Sequence, residues 1–146
     1  MKTSVKHIIA SLAVILCMAA FSACTRNGGD IGIWYGTWNF ESVTIDGENA
    51  SGFDTEEYFV QFQRNVVKVL TTQGAHDRYT STYGTWTEGE STMTWTFSDP
   101  TLPPINVPGL ETTNNYTIVE KSASKVILQK ITPTGTTYRY TLHKVI

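Results

Sequence analysis

Along residues 34–145, apolar and polar side chains alternate one for one in stretch after stretch. This period of two limits the fold more than any other feature of the chain. The cleanest case is Met93, Trp95 and Phe97, set between Thr92, Thr94, Thr96 and Ser98. Successive side chains of a strand point to opposite faces, so one face there is apolar and the other hydroxylated. Tyr138, Tyr140 and Leu142 alternate in the same way with Thr137, Arg139, Thr141 and His143. Beyond residue 31, no window of a dozen residues carries apolar positions at helical spacing. The pattern predicts an all-β chain of eight strands over 34–45, 57–63, 66–72, 79–87, 91–98, 115–121, 125–132 and 136–145. The connections at 63–65, 88–90, 122–124 and 133–135 are polar and hairpin-sized, so neighbours pair antiparallel in sequence order. Eight such strands close into an up-and-down barrel, which removes exposed edges. The alternative is a two-sheet β-sandwich, whose long crossovers have one candidate here, 99–113.

The start of the chain is different. Lys2, Lys6 and His7 precede an apolar run, 8–16, far short of the roughly 20 residues a spanning helix needs. Residues 1–23 therefore read as a signal peptide. Phe21-Ser22-Ala23-Cys24 resembles the lipobox of bacterial lipoproteins, which are cut just before the cysteine and acylated on it, palmitate being a typical chain. Phe21 departs from the usual Leu, and the other cysteine, Cys17, follows bulky Leu16 where a small residue is required. Cys24 is thus the expected lipid attachment and the sole cysteine of the mature chain, which can form no internal disulfide. Each buried CH₂ contributes about 0.8 kcal/mol, so two or three chains hold a domain stably at a bilayer. Residues 24–31, with Gly28 and Gly29, read as a flexible tether of roughly 15 Å, and 32–146 as one barrel domain. Thr25, in place of the Asp that retains lipoproteins at the inner membrane, points to the outer membrane of the cell envelope.

Removing the signal leaves nine basic residues against thirteen acids, a net charge of about −4 with no basic run. Nucleic acid is excluded as a partner, because phosphate binding needs clustered cations. The mature chain has His76 and His143 alone as histidines, in no metal-ligand spacing, so no metal and no cofactor are expected. Glu56-Glu57 and Glu88 with Glu90 sit at strand ends or a turn, where they are solvated. Asp46-Gly47-Glu48-Asn49 lacks the ligand pattern of a calcium loop and reads as a turn. With no G-x-S-x-G elbow either, the chain is not expected to be an enzyme.

Gly36-Thr37-Trp38 resembles the first-strand Gly-x-Trp motif of lipocalins. Gly84-Thr85-Trp86, followed by 91–95, is similar to the middle strands of small lipocalin-like lipoproteins of Gram-negative, gut-type bacteria, and 115–119 through 126–129 fit the same group. The likeness covers 32–145. It implies a barrel with Trp38 at a closed base, covered by a basic residue of the last strand, Arg139 or Lys144. It supplies no ligand.

Three functions fit these observations. The first is small-molecule binding inside the barrel, with Trp38, Tyr58, Phe62, Met93, Trp95, Phe97, Tyr116, Tyr138 and Tyr140 as candidate lining for an apolar or glycan-like ligand. The same side chains are numerous enough to fill so narrow a barrel. The second is a cell-envelope interaction module acting through 99–114, which holds four of the five prolines and carries Leu102, Ile105, Val107 and Leu110. The third is a barrel-type protease inhibitor. Alternate loops share an end in up-and-down topology, so 46–56, 73–78, 99–114 and 133–135 form the mouth, with His76, Asp77 and Arg78 among its polar groups. The tight turns form the base, where the first strand begins, and a short tether there would face the base to the bilayer.

Overall fold

The computed structural model describes residues 29–72, 80–98 and 106–145. Residues 1–23, expected to be a signal peptide, and Cys24, His76, Asp77, Arg78, Leu102 and Ile105 lie outside them. Among the described residues of the compact unit Ile31–Ile146 there are nine strands. They are β1 (Gly36–Ile45), β2 (Glu48–Asn49), β3 (Tyr58–Gln63), β4 (Val66–Thr71), β5 (Thr80–Glu88), β6 (Thr92–Phe97), β7 (Thr113–Lys121), β8 (Lys125–Ile131) and β9 (Thr137–Lys144). Each pairs antiparallel with its neighbour in the order β2-β1-β3-β4-β5-β6-β7-β8-β9, and β1 pairs in turn with β9 from Trp38↔Lys144 to Ile45↔Tyr138. That last ladder closes an eight-stranded barrel and rules out the sandwich. β2 is a two-residue flap on the end of β1, turned back through Asp46 and Gly47, both at positive φ as a tight hairpin demands.

The inward phase is the one the alternation predicts. Met93, Trp95 and Phe97 are buried on β6, Tyr140 and Leu142 on β9, and Val126 and Leu128 on β8. One cluster runs through the interior, from Trp34 and Trp38 to Val107. Gly84 on β5 answers to this packing. A Cβ there would collide with the Thr96 carbonyl oxygen and the Phe97 ring, so glycine lets β5 and β6 approach and leaves Trp86 buried two residues on.

The beginning of the first strand differs from expectation. Gly29–Trp34 is a 3₁₀ turn, so Trp34 does not start a strand, and 29–31 do not belong to a featureless tether. The turn carries the Trp34 side chain into the base, where its ring lies 5.4 Å from Phe62, 5.9 Å from Trp86 and 6.3 Å from Trp38. Trp38 Nε1 donates to the Trp34 carbonyl at 3.0 Å. Lys144 covers the Trp38 ring at 5.1 Å and donates to the Ile33 carbonyl at 2.7 Å. Lys144, and not Arg139, is therefore the basic residue over the tryptophan. Arg139 pairs with Thr44 near the opposite end and is exposed. A second ammonium, that of Lys121, lies 5.5 Å from the Trp34 ring, so the base is sealed by rings and two ammonium groups.

Candidate functional site

At the mouth, residues 106–112 fold inward as a lid. Val107 is buried in the core cluster and Leu110 packs against it. Pro108 offers its carbonyl to the Tyr140 hydroxyl at 2.5 Å, and Gly109 offers its own to Lys130 Nζ at 2.7 Å. Gly109 has φ of +77° and lies against the Tyr138 ring, so a side chain there would be strained and would clash. Lys130 is buried at the inward position after Val126 and Leu128 on β8, and its ammonium also donates to Glu111 Oε2 at 2.6 Å and Asn114 Oδ1 at 3.0 Å. Asn114, fully buried, returns its amide to the Glu111 carbonyl and accepts from the Glu111 N–H at 2.9 Å. A buried cation is tolerated where every donor is matched, and three acceptors meet this one. The lid is thus fastened by polar bonds to β7, β8 and β9.

Beneath it the interior carries a column of rings in edge-to-face contact. Phe62 lies 5.7 Å from Trp95, Trp95 4.8 Å from Tyr116, Tyr116 5.6 Å from Tyr140, and Tyr140 5.9 Å from Phe40. Among the described residues the buried Trp95 Nε1 has no hydrogen-bond partner, nor have Nε1 of Trp34 and Trp86 at the base, while the buried Tyr116 hydroxyl has the Tyr140 phenol beside it. An orphaned buried donor costs about 1–3 kcal/mol, so such groups mark where a water or ligand belongs. Burial, and then the neighbouring Tyr140 phenol and the Glu111 carboxylate, hold the Tyr116 hydroxyl well above the usual tyrosine pKa.

A concavity lies beside the mouth. β1 pairs with β3 only from Gly36 to Asn39, while its ladder with β9 continues to Ile45 through an irregularity between Phe40 and Ser42. The seam this leaves is covered by the chain between β2 and β3. Ala50 N–H donates to the Val43 carbonyl at 2.9 Å, the Asn39 amide donates to the carbonyls of Thr55 and Tyr58, and the Phe53 ring sits 4.5 Å from Tyr58 and 6.1 Å from Phe40. A cleft of about 220 Å³ remains, lined by Glu41, Ser42, Val43, Asn49, Ala50, Phe53 and Thr55.

No family model matches this chain, and no curated protein does. Several solved structures match it, two of them sharing its architecture over nearly their whole length. A lipocalin-like protein from Bacteroides uniformis superposes with a TM-score of 0.58 at 16% identity, over 78% of this chain and 100% of that one. An uncharacterised protein from Bacteroides eggerthii gives 0.55 at 17% identity, over 77% and 99%. The fold is lipocalin-like. In lipocalin-like terms the predicted lining residues separate into three groups. Trp38 and Phe62 belong to the sealed base. Trp95, Tyr116 and Tyr140 stand under the lid, with Tyr58, Met93 and Phe97 buried around them, and Tyr138 is half-buried against Gly109. Sequence reasoning missed Lys130 and Asn114, although each shares the inward parity of its strand, with Leu128 and Tyr116 respectively. It also missed Trp34, Phe40 and Phe53, and with Phe53 the cleft.

Proposed function

We propose that the domain is a carrier or receptor for one small, largely apolar molecule bearing a hydrogen-bond acceptor, taken up in the mouth half of the barrel under the 106–112 lid. The observation that carries this reading is Trp95 Nε1, buried and without a hydrogen-bond partner among the described residues, beside the buried Tyr116 hydroxyl, whose neighbour is the Tyr140 phenol; the rings of Trp95 and Tyr116 lie 4.8 Å apart. A carbonyl, ether or hydroxyl oxygen would satisfy the indole N–H, and the surrounding ring edges suit an apolar or glycan-like body. The lipocalin-like fold supports the same reading. A charged ligand fits less well, since Lys130 already has its counter-ion in Glu111. Entry requires the lid to open, which breaks the bonds at Pro108 and Gly109 and withdraws Val107.

In this reading the protein binds rather than catalyses, and Cys24 carries the lipid that holds it at the outer membrane. The interaction-module and inhibitor readings draw less support, because Val107 and Leu110 are turned into the barrel. The test is native mass spectrometry of protein purified from its own cells. A discrete added mass that Trp95→Phe with Tyr116→Phe removes is the expected result. A bare polypeptide mass, with no intrinsic fluorescence response to apolar ligands, overturns the reading. In the same preparation Cys24→Ser should abolish membrane partitioning, and unchanged partitioning refutes the anchor.

A further inference from the structure

The cleft beside the mouth has a chemistry of its own. Its floor is apolar, made by Val43, Ala50 and the Phe53 ring, and its rim carries the Ser42 and Thr55 hydroxyls, the Asn49 amide and the Glu41 carboxylate. Glu41 is the only ionisable group of that lining, and among the described residues it has no ion pair or hydrogen bond. The opposite strand β9 sets Thr141 against Ser42 and Arg139 against Thr44, but Arg139 is not engaged with Glu41. The volume exceeds the cavity of about 150 Å³ that accepts benzene in an engineered protein core, so a ring with a short polar arm fits.

We infer that this cleft is a second binding site, separate from the barrel interior, and that it takes a small primary ammonium compound with an apolar body. The ammonium has three donors and needs acceptors. Glu41 supplies the charge, the Ser42 and Thr55 oxygens and the Asn49 carbonyl are placed around it, and the face of Phe53 adds a cation–π attraction. A carboxylate ligand would meet only repulsion from Glu41. A neutral one would keep the floor and lose the charge. The irregularity between Phe40 and Ser42 is what brings two consecutive polar side chains, Glu41 and Ser42, to the rim where strict alternation would allow one.

Benzylammonium, benzyl alcohol and benzoate are the probes, titrated into the ¹⁵N-labelled domain at low ionic strength while the backbone amides of 41–43 and 49–55 are followed. Benzylammonium should move those amides and bind about fivefold more tightly than benzyl alcohol, with benzoate weakest. Glu41→Gln, a surface change that leaves the fold intact, should remove the preference for the ammonium. Ala50→Leu should fill the floor and weaken all three. Equal binding of the three probes, an unchanged ammonium preference in Glu41→Gln, or absence of shifts at 41–55 at millimolar probe overturns the proposal. Shifts confined to Trp95 and Tyr116 would place the probe in the interior and overturn it as well.

Discussion

The two ends of the barrel are closed by different physics. At the base, Trp34, Trp38, Phe62 and Trp86 meet ring to ring, and the Lys144 ammonium lies over Trp38. The closure is continuous with the strands, because the 3₁₀ turn leads directly into β1. At the mouth, closure is made by a loop held through Lys130, Asn114 and Tyr140. Apolar packing is lost only when the base unfolds, whereas a few hydrogen bonds exchange readily for bonds to water. The difference assigns rigidity to the base and opening to the mouth; unsatisfied donors lie at the base too, on Trp34 and Trp86, so it is the polar fastening of the lid that sets the mouth apart.

The contrast can be broken from either end. Trp38→Ala empties a fully buried site in the base and should cost about 3–5 kcal/mol in urea denaturation while leaving the residual folded protein competent to bind. A loss below about 1 kcal/mol would show that the base is not a packed seal. Val107→Ala removes two methyl groups from the lid and should cost about 1–2 kcal/mol, with faster ligand exchange as the second signature. Slower exchange would mean that the lid is not the route. Lys130→Met keeps the volume and removes the charge, and should change stability by no more than about 1 kcal/mol in either direction, while hydrogen exchange at 106–112 quickens. A large loss of stability would make Lys130 part of the core framework instead of a fastening.

Alkaline titration gives the smallest and most local effect. Burial, followed by the charge neighbourhood of Tyr138, raises the Tyr140 phenol, and burial likewise raises Tyr116. Unfolded, both ionise near pH 10. Above about pH 10 the unfolded chain therefore gives up protons the folded chain keeps. The stability these phenols contribute is complete below that pH and declines as pH rises through their folded values. Exposed Tyr83 goes the other way, lowered by its hydrogen bond with Ser81 and by the Lys68 ammonium, and should ionise first. A single common tyrosine transition in phenolate absorbance would contradict this order.

Much of the fold was legible in the sequence. The strands and their phase follow from local alternation, as Met93, Trp95 and Phe97 illustrate, and the short polar turns forced antiparallel order. The resemblance left Arg139 and Lys144 open as the cover of Trp38, and the structure selects Lys144. The features that escaped depend on distant contacts. The turn at Gly29–Trp34 has no periodicity, and Trp34 finds its place only because Phe62 and Trp86 are already there. The β1 irregularity and the chain that covers it answer to the parting of β1 from β3, which no local pattern records. Lys130 was visible by parity with Val126 and Leu128, yet lysine on a strand reads as solvent-facing unless acceptors are known to await it. Those acceptors come from the lid and from Asn114 at the start of β7, sixteen to twenty-one residues earlier in the chain.

The indole N–H resonances of Trp38 and Trp95 in ¹⁵N-labelled domain test the central claim most directly, recorded after removal of bound small molecules and again after reloading with an extract of the native cells. The account predicts that the Trp95 resonance shifts on reloading, as its orphaned Nε1 gains an acceptor, while Trp38, bonded to the Trp34 carbonyl, stays in place. A Trp95 resonance that does not move, or a Trp38 resonance that moves with it, would contradict the account.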